Sequence, residues 1–299
     1  MKISNPNPNP VPGNLRDPFV LYHPEDDLYY LTATSPPFWP GTGDNCGVRL
    51  WASPDLMNWE DCGLMVDASA MADNVWCRHR FWAPEMFIHK GVYYLLFSCQ
   101  NESTEEGVTL PLGMFLAKSD NIRGPYTLYS VNEPVLAFGI DGNLFCDADG
   151  KVYLTYAWGG IHMCEFDLEA GKPLTEPKPI VMSGEGEDWD AHPYTEGNFL
   201  VHRNGLYYLW YSNPKTSYEM GIAVTKSLDK PFTKLPGNPI VSGVGTPIHY
   251  AGHNSCFTLR GGGDAIAFHG HNTDEPERLC VMPVSYPPVP MVPPDTVEI

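Results

Sequence analysis

At 299 residues the chain can bury a sizeable core, and its 43% hydrophobic and 18% charged residues belong to an ordinary folded protein rather than a disordered one. A formal net charge of −18 argues against nucleic acid as a partner, because a phosphate backbone needs a basic surface, and equally against an anionic membrane surface. A neutral or cationic ligand is left.

The opening residues, MKISNPNPNPVPGN, contain no apolar core of a secretory signal. No run of about 18 apolar residues exists to span a membrane. Proline-rich stretches at 5–12 and 287–294 read as extended arms, about 1–13 and 287–299, on a single domain that fills the chain. The eight cysteines include no C-x-x-C pair. Cys99, Cys146, Cys164, Cys256 and Cys280 fall in or beside apolar strand-like runs, which reads as buried free thiols and a cytoplasmic protein.

Between the arms one pattern recurs. Aromatic strands are expected at 28–34 (LYYLTAT), 92–98 (VYYLLFS), 152–158 (VYLTYAW), 206–212 (LYYLWYS) and 265–271 (AIAFHGH). Each follows a turn: Asp26-Asp27, Lys90-Gly91, Asp149-Gly150, Asn204-Gly205 or Gly263-Asp264. Such residues tolerate the positive φ that tight hairpins require. Before each turn lies another apolar run, led by a polar anchor: Asp17, Glu85, Asp141, Glu196 and His253, at intervals of 68, 56, 55 and 57 residues. A third strand follows each pair. Five antiparallel units at a near-constant period predict an all-β, five-bladed β-propeller. A two-sheet sandwich also has many short strands, but it gives no reason for matching anchors.

In a propeller the first strand of each blade lines the central axis, so equivalent leading residues converge at one mouth. That brings Asp17, Asp141, Glu196 and His253 together, with Glu85 close by. Converging carboxyls suit cleavage of a glycosidic bond. One must be protonated to expel the leaving oxygen, and another must be ionised to activate water. A third carboxylate beside the acid raises its pKa by like-charge repulsion.

The ordered set NLRDPFVLY, FWAPEMF, GIDGNLFCDADGKVYLTYA, TEGNFLVHRNGLYYLWYS and AGHNSCF, spread over roughly residues 14–285, resembles glycoside hydrolase family 43. These are inverting arabinofuranosidases, xylosidases and arabinanases on a five-bladed propeller. The resemblance implies Asp17 as general base, Glu196 as general acid, and Asp141 as the residue that orients the acid and raises its pKa. It implies Trp82, Ala83 and Ile140 as walls of the sugar subsite, and Arg278 as an arginine reaching a sugar hydroxyl. An exposed salt-bridging role for Arg278 competes. His253 matches a histidine on the axis that helps hold a water-rich calcium in many members, with a satisfied core histidine as the competing reading. No other cofactor is expected. Glu85 reads as a structural partner, and His269 with His271 are too few for a metal site.

The loops at 35–47, which include Trp39, and 73–82 carry aromatics fit to close one side of a pocket. That favours removal of a terminal sugar over an open endo-arabinanase groove. Family members with β-xylosidase activity often carry a further C-terminal sandwich. The chain ends without one, which tilts the expectation toward an α-L-arabinofuranosidase acting on an oligosaccharide or polysaccharide end. A retaining fructan-type propeller places Arg-Asp-Pro in a middle blade and uses a Glu-Cys acid; here Arg-Asp-Pro opens the first blade and the pair is reversed, Cys164-Glu165. A non-catalytic glycan-binding propeller is expected to lack one of the three acids, and all three are present.

Overall fold

A computed structural model describes residues 11, 14–38, 47–73, 75–100 and 112–286. Apart from Val11, the proline-rich arms lie outside the described residues, as does Trp39. Among the described residues the only helical segment is a 3-10 turn at Ala68–Ala70. Everything else regular is β, in five antiparallel sheets taken in chain order.

Blade 1 consists of Arg16–His23, Leu28–Thr34, Gly47–Ser53 and Glu60–Asp67. Blade 2 runs Trp82–His89, Val92–Gln100, Leu112–Ser119 and Thr127–Leu128. Blade 3 has Ile140–Cys146, Val152–Ala157 and Ile161–Asp167, edged by Lys172–Pro173 and Lys178–Val181. Blade 4 comprises Glu196–Arg203, Leu206–Asn213, Glu219–Thr225 and Thr233–Lys234. Blade 5 is His249–Thr258, Asp264–His271 and Arg278–Val284. The first strands touch in the order of blades 1, 2, 3, 4, 5 and back to 1, which makes a closed propeller around an axis.

The hairpin turns follow from their residues. Lys90-Gly91 and Asn204-Gly205 both take two successive left-handed residues (φ 51° and 77°, 53° and 77°), the geometry whose twist matches the flanking strands. The second strands read as unbroken apolar runs because each lies inside a sheet with a neighbouring blade on both faces. All eight residues of Leu206–Asn213 are buried. Apolar clusters fill the spaces between blades. Leu96, Met114, Leu144 and Leu154 pack blade 2 on blade 3, and Val20, Leu31, Ala265 and Leu279 pack blade 1 on blade 5. The seven cysteines among the described residues are all free thiols.

One irregularity is repeated in every blade. The register between first and second strands slips after Arg16, Trp82, Ile140, Glu196 and Gly252, so each first strand carries a β-bulge at the same place. The next residue is left-handed in all five: Asp17 (φ 50°), Ala83 (43°), Asp141 (58°), Gly197 (61°) and His253 (52°). This corrects the alignment expected from spacing. Asp17, Asp141 and His253 are equivalent, but Glu85 stands two residues beyond its blade's left-handed position and Glu196 one residue before it. Spacing alone does not see a bulge, which adds a residue without a side chain of any particular type.

The amide exposed at each bulge is bonded by the blade behind it. The Ala83 N–H donates to Thr34 Oγ1 (2.7 Å), Asp141 N–H to Ser98 Oγ (3.0 Å), and His253 N–H to Ser212 Oγ (2.9 Å). Asp17 N–H donates to His269 Nδ1 (3.1 Å), which joins blade 5 to blade 1. The four acceptors occupy one position, since Thr34, Ser98, Ser212 and His269 pair with Arg16, Trp82, Glu196 and Gly252. In blade 3 that position is Ala157, paired with Ile140. Gly197 N–H turns instead to the Asp141 carboxylate (Oδ2, 2.9 Å).

Removing one of these hydroxyls leaves a buried amide without its partner, at a cost of about 1–3 kcal/mol. Ser98→Ala and Ser212→Ala should each lower the unfolding free energy by that amount, read as a lower denaturant midpoint with the m value unchanged. A loss no larger than that of a surface serine would show that the amide bonds do not hold the blades.

Candidate active site

A pocket opens on the axis at the end where the first strands begin. It is lined by Arg16, Asp17, Thr34, Phe38, Trp82, Ile140, Asp141, Glu196 and His253. Seven of these nine come from the bulges, being either the left-handed residue of a blade or the residue just before it. The other two are the hydroxyl-bearing Thr34 and the nearby Phe38. Trp82 is fixed as a wall by its indole N–H, which donates to the Phe38 carbonyl (3.0 Å).

The carboxyls are held in different ways. Asp17 Oδ2 accepts from the Thr34 hydroxyl (2.7 Å), and Oδ1 lies 3.1 Å from His253 Nδ1. Asp141 Oδ2 accepts from Gly197 N–H and stands 3.6 Å from the same imidazole nitrogen. Glu196 receives one hydrogen bond, from the Tyr218 hydroxyl to Oε1 (3.0 Å). The Tyr218 ring stacks on His269 (5.3 Å, 18°). It also lies against Gly252, where a Cβ would meet it at 2.0 Å. Any side chain at 252 would evict the ring that holds Glu196.

These surroundings separate the protonation states. Burial works to raise the Asp17 pKa, but the ion pair with His253 and the field of Arg16 outweigh it and hold the carboxyl below its usual range. Burial likewise works to lower the His253 pKa, and the two carboxylates overcome it, lifting it to about 10. Asp141 is raised, chiefly by burial, with His253 opposing and the Asp17 charge adding. Glu196 is pushed up to about 7, first by burial and then by the Asp141 charge, while the Tyr218 hydrogen bond opposes. The like-charge repulsion expected from the sequence is therefore present but second in size to desolvation.

Among the sugar-wall candidates, Trp82 and Ile140 line the pocket. Ala83 does not; it is buried at the bulge of blade 2, where its N–H meets Thr34. Arg278 does not line the pocket either; it takes the competing salt-bridging role, but at 5% exposure it is buried rather than exposed. Its guanidinium donates to Glu275 Oε2 (2.7 Å) and Asn272 Oδ1 (3.4 Å). The arginine at the pocket is Arg16, which the Arg-Asp-Pro motif contains but whose side chain carried no sequence signal of its own. Tyr218 was equally silent, lying just before a third strand and 22 residues beyond Glu196.

His253 Nδ1 is engaged by the Asp17 and Asp141 carboxylates, which leaves only Nε2 of its ring to face an ion. Calcium takes about six to eight oxygens. Next to the bulges of blades 4 and 5, Asn198 Oδ1 and Asn254 Oδ1 are buried without a partner. Among the described residues no group of three or more His, Cys, Asp or Glu side chains is arranged to hold a metal. An ion there would draw on the Asn198 and Asn254 oxygens and take the rest of its shell from water.

Glu85 sits below the pocket, accepting from Asn143 Nδ2 (2.8 Å), and burial pushes its pKa up to about 8. Its folded pKa lies above the unfolded value, so the folded chain binds the extra proton and loses stability as pH rises from about 4.5 through 8. Glu85→Gln keeps an acceptor for Asn143 and removes the charge. It should flatten that alkaline decline in the unfolding midpoint, and an unchanged pH profile would show that Glu85 is not protonated in the folded protein.

The sequence model of glycosyl hydrolases family 43 matches residues 7–283 of this chain. A β-xylosidase of Bacillus subtilis is 27% identical, over 85% of this chain and 47% of its own length. An extracellular exo-α-(1→5)-L-arabinofuranosidase of Cellvibrio japonicus is 22% identical, over 83% of this chain and 76% of its own. The chain spans about half the length of the first curated relatives it matches. A solved thermostable family-43 glycoside hydrolase superposes with a TM-score of 0.78 at 27% identity, covering 95% of this chain and 94% of that one.

Proposed function

This chain belongs to the glycosyl hydrolases of family 43, and we propose that it removes a terminal pentose from a plant oligosaccharide, with inversion, as an α-L-arabinofuranosidase. The observation that carries the reading is the split in protonation state within one pocket. Asp17 is held ionised and Glu196 is held protonated up to about pH 7. Asp17 takes a proton from water as the water oxygen bonds to the anomeric carbon. The bond from that carbon to the leaving oxygen breaks, and Glu196 gives that oxygen its proton. Asp141, anchored by Gly197 N–H, keeps Glu196 protonated through its charge. The Trp82 and Phe38 wall supports an end-on pocket over an open groove.

The choice of arabinofuranoside is supported by the Cellvibrio japonicus relative, matched over 76% of its own length. A β-xylosidase is the second reading, favoured by the Bacillus subtilis relative. A panel of aryl pentosides decides between them, and proton NMR of the earliest product reports its anomeric configuration. An inverted arabinose is expected. A retained anomer overturns the mechanism, faster cleavage of the β-xyloside selects the second reading, and inertness toward every pentoside sinks both.

Single substitutions separate the roles. Glu196→Ala should lose about 10²–10⁴-fold in kcat on a sugar leaving group, and much less on an activated aryl group that needs no proton. Asp17→Ala should be crippled on both. Equal losses for the two variants on both substrates would undo the assignment.

The alkaline limb of the pH–rate profile should fall near pH 7, where Glu196 ionises. Asp141→Asn removes the larger of the two carboxylate charges that raise this pKa and leaves burial and the Asp17 charge in place. The limb should move down but stay above the usual glutamate range. A limb that stays put or rises removes Asp141 from that role.

A further inference from the structure

Outside the pocket, the aromatic residues among the exposed large hydrophobic side chains are Phe138, Trp158, Tyr194 and Tyr250. Three of them occupy one position in the repeat. Phe138, Tyr194 and Tyr250 each stand three residues before the left-handed bulge residue of their blades, Asp141, Gly197 and His253. Their exposures are 57%, 65% and 53%. Trp158, 48% exposed, follows the Ala157 that pairs with pocket-lining Ile140, and its ring is 6.0 Å from that of Phe138. The four rings thus follow the pocket rim along consecutive blades 3, 4 and 5. On blades 1 and 2 the same repeat position holds Asn14 and a buried Arg80, and there Phe38 and Trp82 wall the pocket.

The left-handed backbone of Phe138 and Tyr250 (φ 62° and 51°) belongs to the repeat, since Arg80 shares it at the same position (56°). What sets these rings apart from chance surface residues is that they are steadied from one side. His271 stacks on Tyr250 (5.5 Å, 13°), and His192 leans on Tyr194 (5.1 Å, 59°). An aromatic ring braced on one side and open on the other suits the C–H face of a sugar. The net charge of −18 favours a neutral one.

We propose that Phe138, Trp158, Tyr194 and Tyr250 form a binding platform for the sugars on the leaving-group side of the cleaved bond. The proposal rests on the glycosidase reading above. The terminal unit enters the pocket between Trp82 and the carboxyls, and the rest of a neutral oligosaccharide runs out over blades 3 to 5. Selectivity for chain length then lies in the platform, separately from the pocket that selects the terminal unit.

The test is titration calorimetry on a Glu196→Gln protein with L-arabinose and with α-1,5-arabinotriose, and in parallel with D-xylose and xylotriose. For the matching sugar, the trisaccharide should bind at least tenfold more tightly than the monosaccharide. Adding Tyr194→Ala or Trp158→Ala, both at exposed sites with ordinary backbone, should erase most of that gain. Adding Trp82→Ala should weaken monosaccharide and trisaccharide together. Equal affinity for the two lengths, or a gain untouched by the rim substitutions, overturns the platform. Release of pentose from the same trisaccharides by the unsubstituted enzyme reports on the reaction itself, so failure of catalysis and failure of the platform are read separately.

Discussion

The amide bond across each blade boundary is the contact on which the rest of the molecule depends. A bulge turns one N–H of each first strand out of its own sheet, and a hydroxyl or imidazole at the end of the preceding blade's second strand receives it. Apolar packing between blades is non-directional and tolerates sliding. A hydrogen bond to a single buried donor does not. The ring of amide bonds therefore sets the angular position of each first strand, and with it the direction in which the bulge residue leaves the chain. At the boundary between blades 3 and 4 the usual acceptor is missing, because Ala157 stands there, and the carboxylate of Asp141 takes the amide of Gly197. A site residue serves as a structural acceptor, so its place is fixed by the same rule that fixes the blades.

Charge balance follows from that geometry. Asp17 and Asp141 face one imidazolium, and Arg16 adds a second cation at the pocket. Arg16 is itself ion-paired with Glu277 (3.2 Å), so both cations are already matched by carboxylates before Glu196 ionises. Ionising Glu196 buries a further charge and sets it beside the Asp141 carboxylate, and burial is the larger of these two causes of its pKa near 7. The placement of Glu196 one residue before the bulge matters here. It lies outside the amide ring and, among the described residues, it is held by a neutral hydroxyl, Tyr218, rather than by an ion pair with the imidazole. A carboxyl that must both keep and release a proton is left with the weakest anchoring of the three.

Much of this was legible in the sequence, and the rest was hidden for identifiable reasons. The hairpins showed because aromatic second strands buried on both faces cannot be written in polar residues, and because Asn-Gly and Lys-Gly turns announce themselves. Even the amide acceptors were visible in part, since LYYLTAT, VYYLLFS and LYYLWYS end on Thr34, Ser98 and Ser212. The bulges were not legible. Their left-handed residue is Asp, Ala, Asp, Gly and His in turn, so no residue type marks it, and spacing aligned Glu85 and Glu196 with positions they do not hold. Sequence left Arg278 between two roles because an arginine there can reach many partners, and in the structure its guanidinium bonds Glu275 and Asn272.

The position before the bulge explains why five similar blades make one asymmetric site. It holds Arg16, Trp82, Ile140, Glu196 and Gly252 in turn. Four of these line the pocket, supplying a cation, an aromatic wall, an aliphatic wall and an acid. The fifth contributes an absence. With no Cβ at Gly252, the Tyr218 ring passes between blades 4 and 5, stacks on His269 and reaches Glu196. His269 is at the same time the acceptor for the Asp17 amide that closes blade 5 on blade 1. Tyr218 therefore connects the acid to the residue that closes the ring and positions the base. A side chain at 252 would have to displace this ring, disturbing the hold on Glu196 and the seat of Asp17 together, although it touches neither carboxyl.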